Sequence, residues 1–153
     1  MGWQVIGTKS VQRPNYVRRN SRTLIIESYY LTSTKQWAVS VSLQYIYSDE
    51  GAEESYGPVV TNPSIGNVYR GRFVGTFAGQ SLSGTTDTFT FNGTEKEIRT
   101  NLPDHSSPKE GALSGTLYLE QYVTDTPSYI NVPSQEVSKG STIRISWGKS
   151  SDA

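Results

Sequence analysis

The chain contains no cysteine and one histidine among its 153 residues. Without cysteine it can form no disulfide bridge, no thiolate nucleophile and no zinc–sulfur site. Its one histidine, His105, stands between Asp104 and Ser106, whereas the groups of a catalytic triad converge from separate parts of a fold. A chain of this length can bury a core without covalent support. The composition therefore predicts one folded, non-enzymatic domain that needs no metal and no cofactor.

Long apolar runs are also missing. No stretch approaches the roughly 18 apolar residues of a membrane-spanning helix, and residues 1–7 lack the basic and apolar regions of a secretory signal. We therefore expect a soluble protein and leave its compartment open. Release as a secreted toxin would require a signal that has been removed, or an unusual route.

Neither sign of charge is in excess, because 14 basic residues balance 14 acidic ones. This balance argues against a nucleic acid partner held by bulk charge. The distribution is uneven, however, since residues 9–22 carry basic charges alone, at Lys9, Arg13, Arg18, Arg19 and Arg22. We interpret this segment as a solvated basic arm.

Acidic residues crowd a second segment, at Asp49, Glu50, Glu53 and Glu54. Their spacing is not that of an EF-hand calcium loop. Carboxylates of one loop also do not flank a cleft from opposite sides, as glycosidase chemistry requires. Because glycines and prolines recur between Asp49 and Gly66, we predict a long acidic surface loop there.

The clearest pattern in the chain is an alternation between residues 37 and 47. Apolar side chains occupy every second position, namely Trp37, Val39, Val41, Leu43, Tyr45 and Tyr47. Successive side chains of a β-strand point to opposite faces, so this segment predicts a strand at the centre of a sheet. The opposite face, with Ala38, Ser40 and Ser42, is expected to be mostly solvated.

Turn residues divide the rest of the chain into further strands. Residues 22–33 are expected to pair antiparallel with 36–48 through the turn at 33–35. Asn92-Gly93 predicts a second hairpin, because both positions of a type I′ turn need positive φ. Further alternating or apolar segments lie at 4–8, 67–79, 113–124, 129–132 and 141–147.

Glycines alternate with aromatic residues in the segment 67–79. Tyr69, Phe73 and Phe77 share one face with Gly71 and Gly75. This pattern predicts aromatic rings that fold over bare backbone in the core, or close approach by another strand or a ligand.

Many short strands separated by turn signals are typical of an antiparallel sandwich or barrel. We therefore predict an all-β fold, a single-domain antiparallel β-sandwich of roughly eight to ten strands. Residues 1–21 are expected to form a basic N-terminal strand or arm, residues 22–147 the sandwich, and residues 148–153 a flexible tail.

Residues 79–93, with the sequence Gly-Gln-Ser-Leu-Ser-Gly-Thr-Thr-Asp-Thr-Phe-Thr-Phe-Asn-Gly, are followed by Ile98 and by Asn101-Leu102-Pro103. This stretch resembles the middle of the aegerolysin family, in which a glycine-rich turn leads into an aromatic strand, a hairpin and an Asn-Pro loop. Asp87 replaces the expected glycine, and Leu102 separates Asn101 from Pro103. The resemblance implies a small β-sandwich that recognises membrane lipids and recruits a second, pore-forming protein.

Binding is the preferred interpretation, because ten tyrosines and three tryptophans suit contact with lipid headgroups or sugar rings. The first hypothesis is a non-enzymatic membrane-recognition module, one component of a two-part cytolysin or insecticidal toxin. Its candidate contact residues are Trp3, Tyr56 and Trp147, with core packing as the alternative for each.

Two other hypotheses share the same architecture. A lectin would stack a sugar on an exposed tyrosine beside an asparagine, as in Tyr56 with Asn62 or Tyr129 with Asn131. A self-assembling structural or capsid-type subunit would use the basic segment 9–22 as an arm on single-stranded RNA. The sequence leaves the oligomeric state open.

Overall fold

The computed structural model describes residues 2–18, 22–47, 51–104 and 110–123, together with the backbone of 143–146. These residues form ten strands and no helix. The strands are β1 (Gly2–Arg18), β2 (Thr23–Leu31), β3 (Gln36–Ile46), β4 (Ala52–Thr61), β5 (Val68–Phe77), β6 (Gln80–Thr85), β7 (Phe89–Thr90), β8 (Lys96–Asn101), β9 (Glu110–Val123) and β10 (Ile143–Ser146).

The strands form two antiparallel sheets that pack face to face. Sheet A has the order β1-β9-β5-β6, and the short strand β7 also pairs with β5. Sheet B has the order β10-β4-β3-β2-β8. Apolar side chains from both inner faces meet in one core, as expected of a sandwich. The predicted all-β, antiparallel sandwich is therefore confirmed.

Strand β3 is the middle strand of sheet B, as predicted, and it pairs with β2 along the whole length of β2. Val39, Val41 and Leu43 are completely buried in the core. The prediction that the other face is solvated is wrong, because Ser40 and Ser42 are equally buried. Tyr56 lies opposite Ser42 in the register, so a large ring stands beside these small side chains.

The predicted acidic surface loop is also wrong, because strand β4 occupies most of it. Glu53 points between the sheets, where its carboxylate accepts a hydrogen bond of 2.6 Å from Arg13 of strand β1. Gly57 lets the strand approach β3 closely, since a Cβ there would lie 2.6 Å from the Val41 carbonyl oxygen. The Glu53 and Gly57 residues that suggested a loop are thus accommodated in a buried strand, one by its ion pair with Arg13 and the other by the close approach of β3.

The predicted hairpin at Asn92-Gly93 does not form. Strand β7 before it pairs with β5 of sheet A, and strand β8 after it pairs with β2 of sheet B. Gly93 has the positive φ expected of a turn, at 83°. The Asn92 side-chain oxygen accepts hydrogen bonds from the backbone nitrogen and the hydroxyl of Thr94. The Asn-Gly turn therefore carries the chain from one sheet to the other.

The basic N-terminal segment belongs to the sandwich. Strand β1 pairs with β9 from Gly2 to Arg18, so residues 2–18 are not a separate arm. Pro14 lies in the register shift between Arg13 and Val17, where its missing N–H breaks no regular pairing. Of the other predicted segments, the tail 148–153 and the strand 129–132 lie outside the described residues.

The alternation of glycine and aromatic residues in β5 is a packing pattern. Phe73 and Phe77 are completely buried. A Cβ on Gly75 would lie 2.1 Å from the Ser114 carbonyl oxygen, and one on Gly71 would lie 2.4 Å from Val41. The predicted close approach of a neighbouring strand is therefore present at Gly75, whereas Gly71 leaves room for the Val41 side chain of the facing sheet.

Candidate functional site

One end of the sandwich carries an exposed apolar surface, which we call the apolar tip and define as Tyr30, Trp37 and Ile65. Ile65 lies in the loop between β4 and β5, and 74% of its surface is exposed. Tyr30, near the end of β2, is 40% exposed, and Trp37, near the start of β3, is partly buried. Exposed apolar side chains that lie together, rather than scattered singly, can mark an interaction surface.

Aromatic contacts hold the apolar tip in place. The rings of Tyr30 and Trp37 meet edge to face at 5.3 Å between centroids, and Trp37 meets Phe91 at 5.8 Å. Such pairs contribute about 0.5–1.5 kcal/mol each beyond the area they bury. Because Phe91 is itself buried, these contacts join the exposed tyrosine to the core.

Backbone hydrogen bonds fix the loop that presents Ile65. The Gly66 N–H donates to the Phe91 carbonyl, and the Phe91 N–H donates to the Asn67 carbonyl. Asn62 has a φ of 54° and Gly66 a φ of 98°, conformations that asparagine and glycine tolerate better than other residues. The loop therefore has a defined shape, and it exposes the isoleucine at a fixed place.

The outer face of sheet A carries a second, partly exposed surface, which we call the arginine–aromatic face. It is formed by Trp3 of β1, Arg70 and Arg72 of β5, and Tyr118, Glu120 and Tyr122 of β9. Strand β9 lies between β1 and β5, and alternation places these side chains opposite the core residues Leu117 and Leu119. The six side chains therefore lie side by side across three strands.

Glu120 holds the two arginines together. Its carboxylate accepts a hydrogen bond of 2.6 Å from Arg70 Nε and bonds of 3.1 and 2.9 Å from Arg72 Nε and Nη2. Burial tends to raise the pKa of the Glu120 carboxyl, but hydrogen bonds from Arg72 and Arg70 outweigh it and lower the pKa below its ordinary value. Glu120 is therefore a carboxylate at neutral pH.

Each arginine also lies over an aromatic ring. The Arg70 guanidinium is 4.3 Å from the ring centroid of Trp3, and the Arg72 guanidinium is 4.2 Å from that of Tyr118. A cation over the face of an aromatic ring is attracted by the ring quadrupole. Trp3 in turn meets Tyr122 edge to face at 5.2 Å, and Glu120 links the two arginine–aromatic pairs.

The two surfaces lie toward the same end of the sandwich. The loop that carries Ile65 leads directly into β5, where Arg70 follows five residues later. In sheet A, Trp3 of β1 lies opposite Tyr122 of β9. The preceding residue of β9, Gln121, lies opposite Tyr69, near the start of β5. The tryptophan end of the arginine–aromatic face therefore lies at the same end of the sandwich as the apolar tip.

The side chains at this end of the sandwich can make noncovalent contacts. Within the described part of the chain, no group of three or more histidine or acidic side chains is placed to hold a metal ion. The same residues include no helix with the length and apolarity needed to cross a bilayer. The two surfaces instead offer apolar area, aromatic edges and guanidinium donors.

The structure places the contact residues that were predicted from the sequence in different environments. Trp3 lies on the arginine–aromatic face and is half-buried, and Asn62 is exposed at the base of the Ile65 loop. Tyr56 is only 5% exposed, so the prediction of a contact role for it is wrong, and it cannot stack on a sugar beside Asn62. Tyr129, Asn131, Trp147 and His105 lie outside the described residues.

Sequence reasoning missed most of this site. Arg70 and Arg72 share one face of β5, and Tyr118, Glu120 and Tyr122 share one face of β9; both facts follow from alternation alone. The signal that could have combined them is the pair of positive charges on one face of β5 and the carboxylate of Glu120 on one face of β9. Ile65 could have been noticed as the one large aliphatic residue in the polar segment 61–67.

Known proteins do not identify the site. Comparison of the chain with models of protein families, with curated proteins and with solved structures finds no match.

Proposed function

We propose that this protein is a non-enzymatic membrane-recognition module whose apolar tip enters the interface of a lipid bilayer. The observation that carries the proposal is the exposure of Ile65 in a fixed loop that Phe91 joins to Trp37 and the exposed Tyr30. Tyrosine and tryptophan favour the boundary between water and hydrocarbon, because one end of each ring system is apolar and the other is polar.

The size of the tip suits weak and reversible membrane binding. Transfer of a fully exposed isoleucine side chain out of water contributes about 1.5–3 kcal/mol, and Ile65 retains most of that exposure in the folded protein. The partly exposed Tyr30 adds a smaller amount. Such an energy does not suffice for stable anchoring, so other contacts with the membrane must contribute.

The resemblance of residues 79–103 to the aegerolysin family supports the same function. In the structure this stretch forms β6, β7, the Asn92-Gly93 crossover and β8, and Phe91 within it supports the apolar tip. We include in the proposal what the resemblance implies, namely a second, pore-forming protein that the membrane-bound module recruits.

Co-sedimentation with phosphatidylcholine vesicles tests the role of the tip. We expect the wild-type protein to sediment with the vesicles and Ile65→Ser to bind about tenfold more weakly, since about 1.4 kcal/mol of apolar transfer is lost. Val74→Ser is the matched control, because Val74 is an exposed aliphatic residue far along β5 from the tip. Equal binding of Ile65→Ser and wild type would contradict the proposal, as would no binding of the wild type.

A labelled cysteine gives an independent measurement, because the natural chain has no cysteine. An environment-sensitive fluorophore at Ile65→Cys should shift its emission to the blue when vesicles are added. The same fluorophore at Ser81→Cys, an exposed position of β6 that pairs with Thr76 near the far end of β5, should not. A shift at neither position would show that the tip stays in water.

A further inference from the structure

We propose that Arg70 and Arg72 form a binding site for a phosphate group, presented by the headgroup of a membrane lipid. The phosphate chemistry rests on the geometry of the arginine–aromatic face alone. The lipid as its source rests on the proposed function, because it assumes that the apolar tip meets a membrane.

The two guanidiniums keep donors available for a ligand. Arg70 uses only Nε toward Glu120, while Arg72 uses Nε and Nη2. Among the described residues, both Nη nitrogens of Arg70 and Nη1 of Arg72 donate to no protein acceptor. The arginine side chains are 27% and 29% exposed, so solvent reaches them. A phosphate accepts paired hydrogen bonds from guanidinium groups of this kind.

The site is ordered before a ligand arrives. Glu120 is nine-tenths buried or more, with 4% of its surface exposed, and it ties both arginines on one side. Trp3 and Tyr118 restrain the same guanidiniums from the ring faces. An arginine that is already held loses less side-chain entropy when it binds than a flexible one.

The charges favour an anion over a neutral sugar. Two arginines and one glutamate leave one net positive charge on the face. The glutamate oxygens already accept three hydrogen bonds and are buried beneath the arginines, so the carboxylate offers little to sugar hydroxyls. A ligand that approaches from solvent therefore meets guanidinium donors, which are complementary to phosphate oxygens.

The position of the face matches that of a headgroup. Ile65 and Arg70 are five residues apart, which places them at most about 17 Å from each other along the chain. A bilayer whose interface receives Ile65 therefore brings its phosphate layer toward Arg70. Val5, another exposed aliphatic residue, lies opposite Glu120 in the register on the same face.

Vesicle binding with charge-removing variants tests the site. Full-length wild type, Arg70→Gln, Arg72→Gln and Arg99→Gln are compared on vesicles of phosphatidylcholine with and without phosphatidic acid. Arg99 is the matched control because it is exposed on β8 of sheet B and pairs with Glu97. Thermal unfolding of each variant establishes that it is folded. Inorganic phosphate is titrated into wild type and Arg70→Gln in a separate calorimetric measurement.

We expect phosphatidic acid to strengthen wild-type binding. Arg70→Gln and Arg72→Gln should each weaken it about tenfold, the effect of one charge-assisted hydrogen bond, whereas Arg99→Gln should bind like the wild type. Arg70→Lys should not restore the affinity, because a lysine keeps the charge without the paired donors. Equal losses in Arg99→Gln or recovery in Arg70→Lys would overturn the site in favour of unspecific charge attraction.

The remaining outcomes separate this site from the proposed function. If vesicles bind equally with and without phosphatidic acid and the arginine variants behave like wild type, the phosphate site is refuted and the tip is not. If no vesicles bind but inorganic phosphate binds wild type and not Arg70→Gln, the phosphate site stands and its lipid source is refuted. Binding of neither vesicles nor phosphate rejects both.

Discussion

Replacement of Glu120 by glutamine should destabilise the protein well beyond the effect of an ordinary surface ion pair. The carboxylate accepts three hydrogen bonds from Arg70 and Arg72, and bonds to a charged group contribute about 1.5–3 kcal/mol each. Glutamine keeps one acceptor oxygen but turns amide donors toward a guanidinium. Because the arginines are partly solvated, we expect a loss of about 2–3 kcal/mol in the free energy of unfolding.

Urea denaturation and thermal melting provide the assay. For a chain of this size the expected loss lowers the melting temperature by about 5–10 °C. Glu97→Gln is the matched control, since Glu97 pairs with Arg99 on β8 and both side chains are well exposed. Such a pair contributes about 0.5 kcal/mol or less. A loss of stability in Glu120→Gln no larger than that in Glu97→Gln would refute the stabilising role of the hydrogen bonds between Glu120 and the two arginines.

The pH dependence gives a second check with a definite sign. The pKa of Glu120 is lowered in the folded protein from an ordinary value of 4.5. A lowered carboxyl pKa contributes stability that is complete above the unfolded value and is lost as the pH falls through the folded value. The difference in stability between wild type and Glu120→Gln should therefore be constant near neutral pH and shrink in acid below 4.5. A difference that persists unchanged in strong acid would contradict this account.

Two further predictions concern the core between the sheets. Arg13→Met should lower the free energy of unfolding, measured by urea denaturation, by about 3–5 kcal/mol, because it leaves the buried Glu53 carboxylate without its partner at 2.6 Å. The double variant Arg13→Met/Glu53→Leu should regain most of this stability. Failure to regain it would show that the two residues are not coupled. Burial, opposed by a hydrogen bond with Ser55, raises the pKa of Tyr45 to about 12. The stability that neutral Tyr45 contributes is complete below pH 10 and is lost as the pH rises toward 12. The fall in stability at alkaline pH should therefore be smaller in Tyr45→Phe than in the wild type. An equal fall in both proteins would contradict this prediction.

The sequence was sufficient for the fold class and for the central strand pair because alternation is a local signal. The central position of β3, its pairing with β2, and the inward faces of β5 and β9 all follow from side chains two residues apart. Strand β4 was missed because its acidic residues suggested exposure. The arginine that neutralises Glu53 comes from a strand forty residues earlier, and no local pattern states that pairing.

The arginine–aromatic face was hidden for the same reason. Trp3 was a predicted contact residue, but its neighbours Arg70 and Tyr122 come from two other strands, and only the register between β1, β9 and β5 brings them together. A shift of that register by one residue would turn Glu120 toward the core. The sequence indicates which side chains share a face of each strand, but it does not indicate the register between strands.

The Asn92-Gly93 turn shows how a correct local signal can serve a different structure. Its residues do form a turn with positive φ at Gly93, yet the chain leaves sheet A before the turn and joins sheet B after it. This crossover places Phe91 at the end of sheet A, where its backbone holds the Ile65 loop and its ring contacts Trp37 of sheet B. A hairpin would keep both strands in one sheet, and Phe91 would then not join the Ile65 loop to Trp37. The crossover therefore accounts for the fixed position of the surface that we propose meets the membrane.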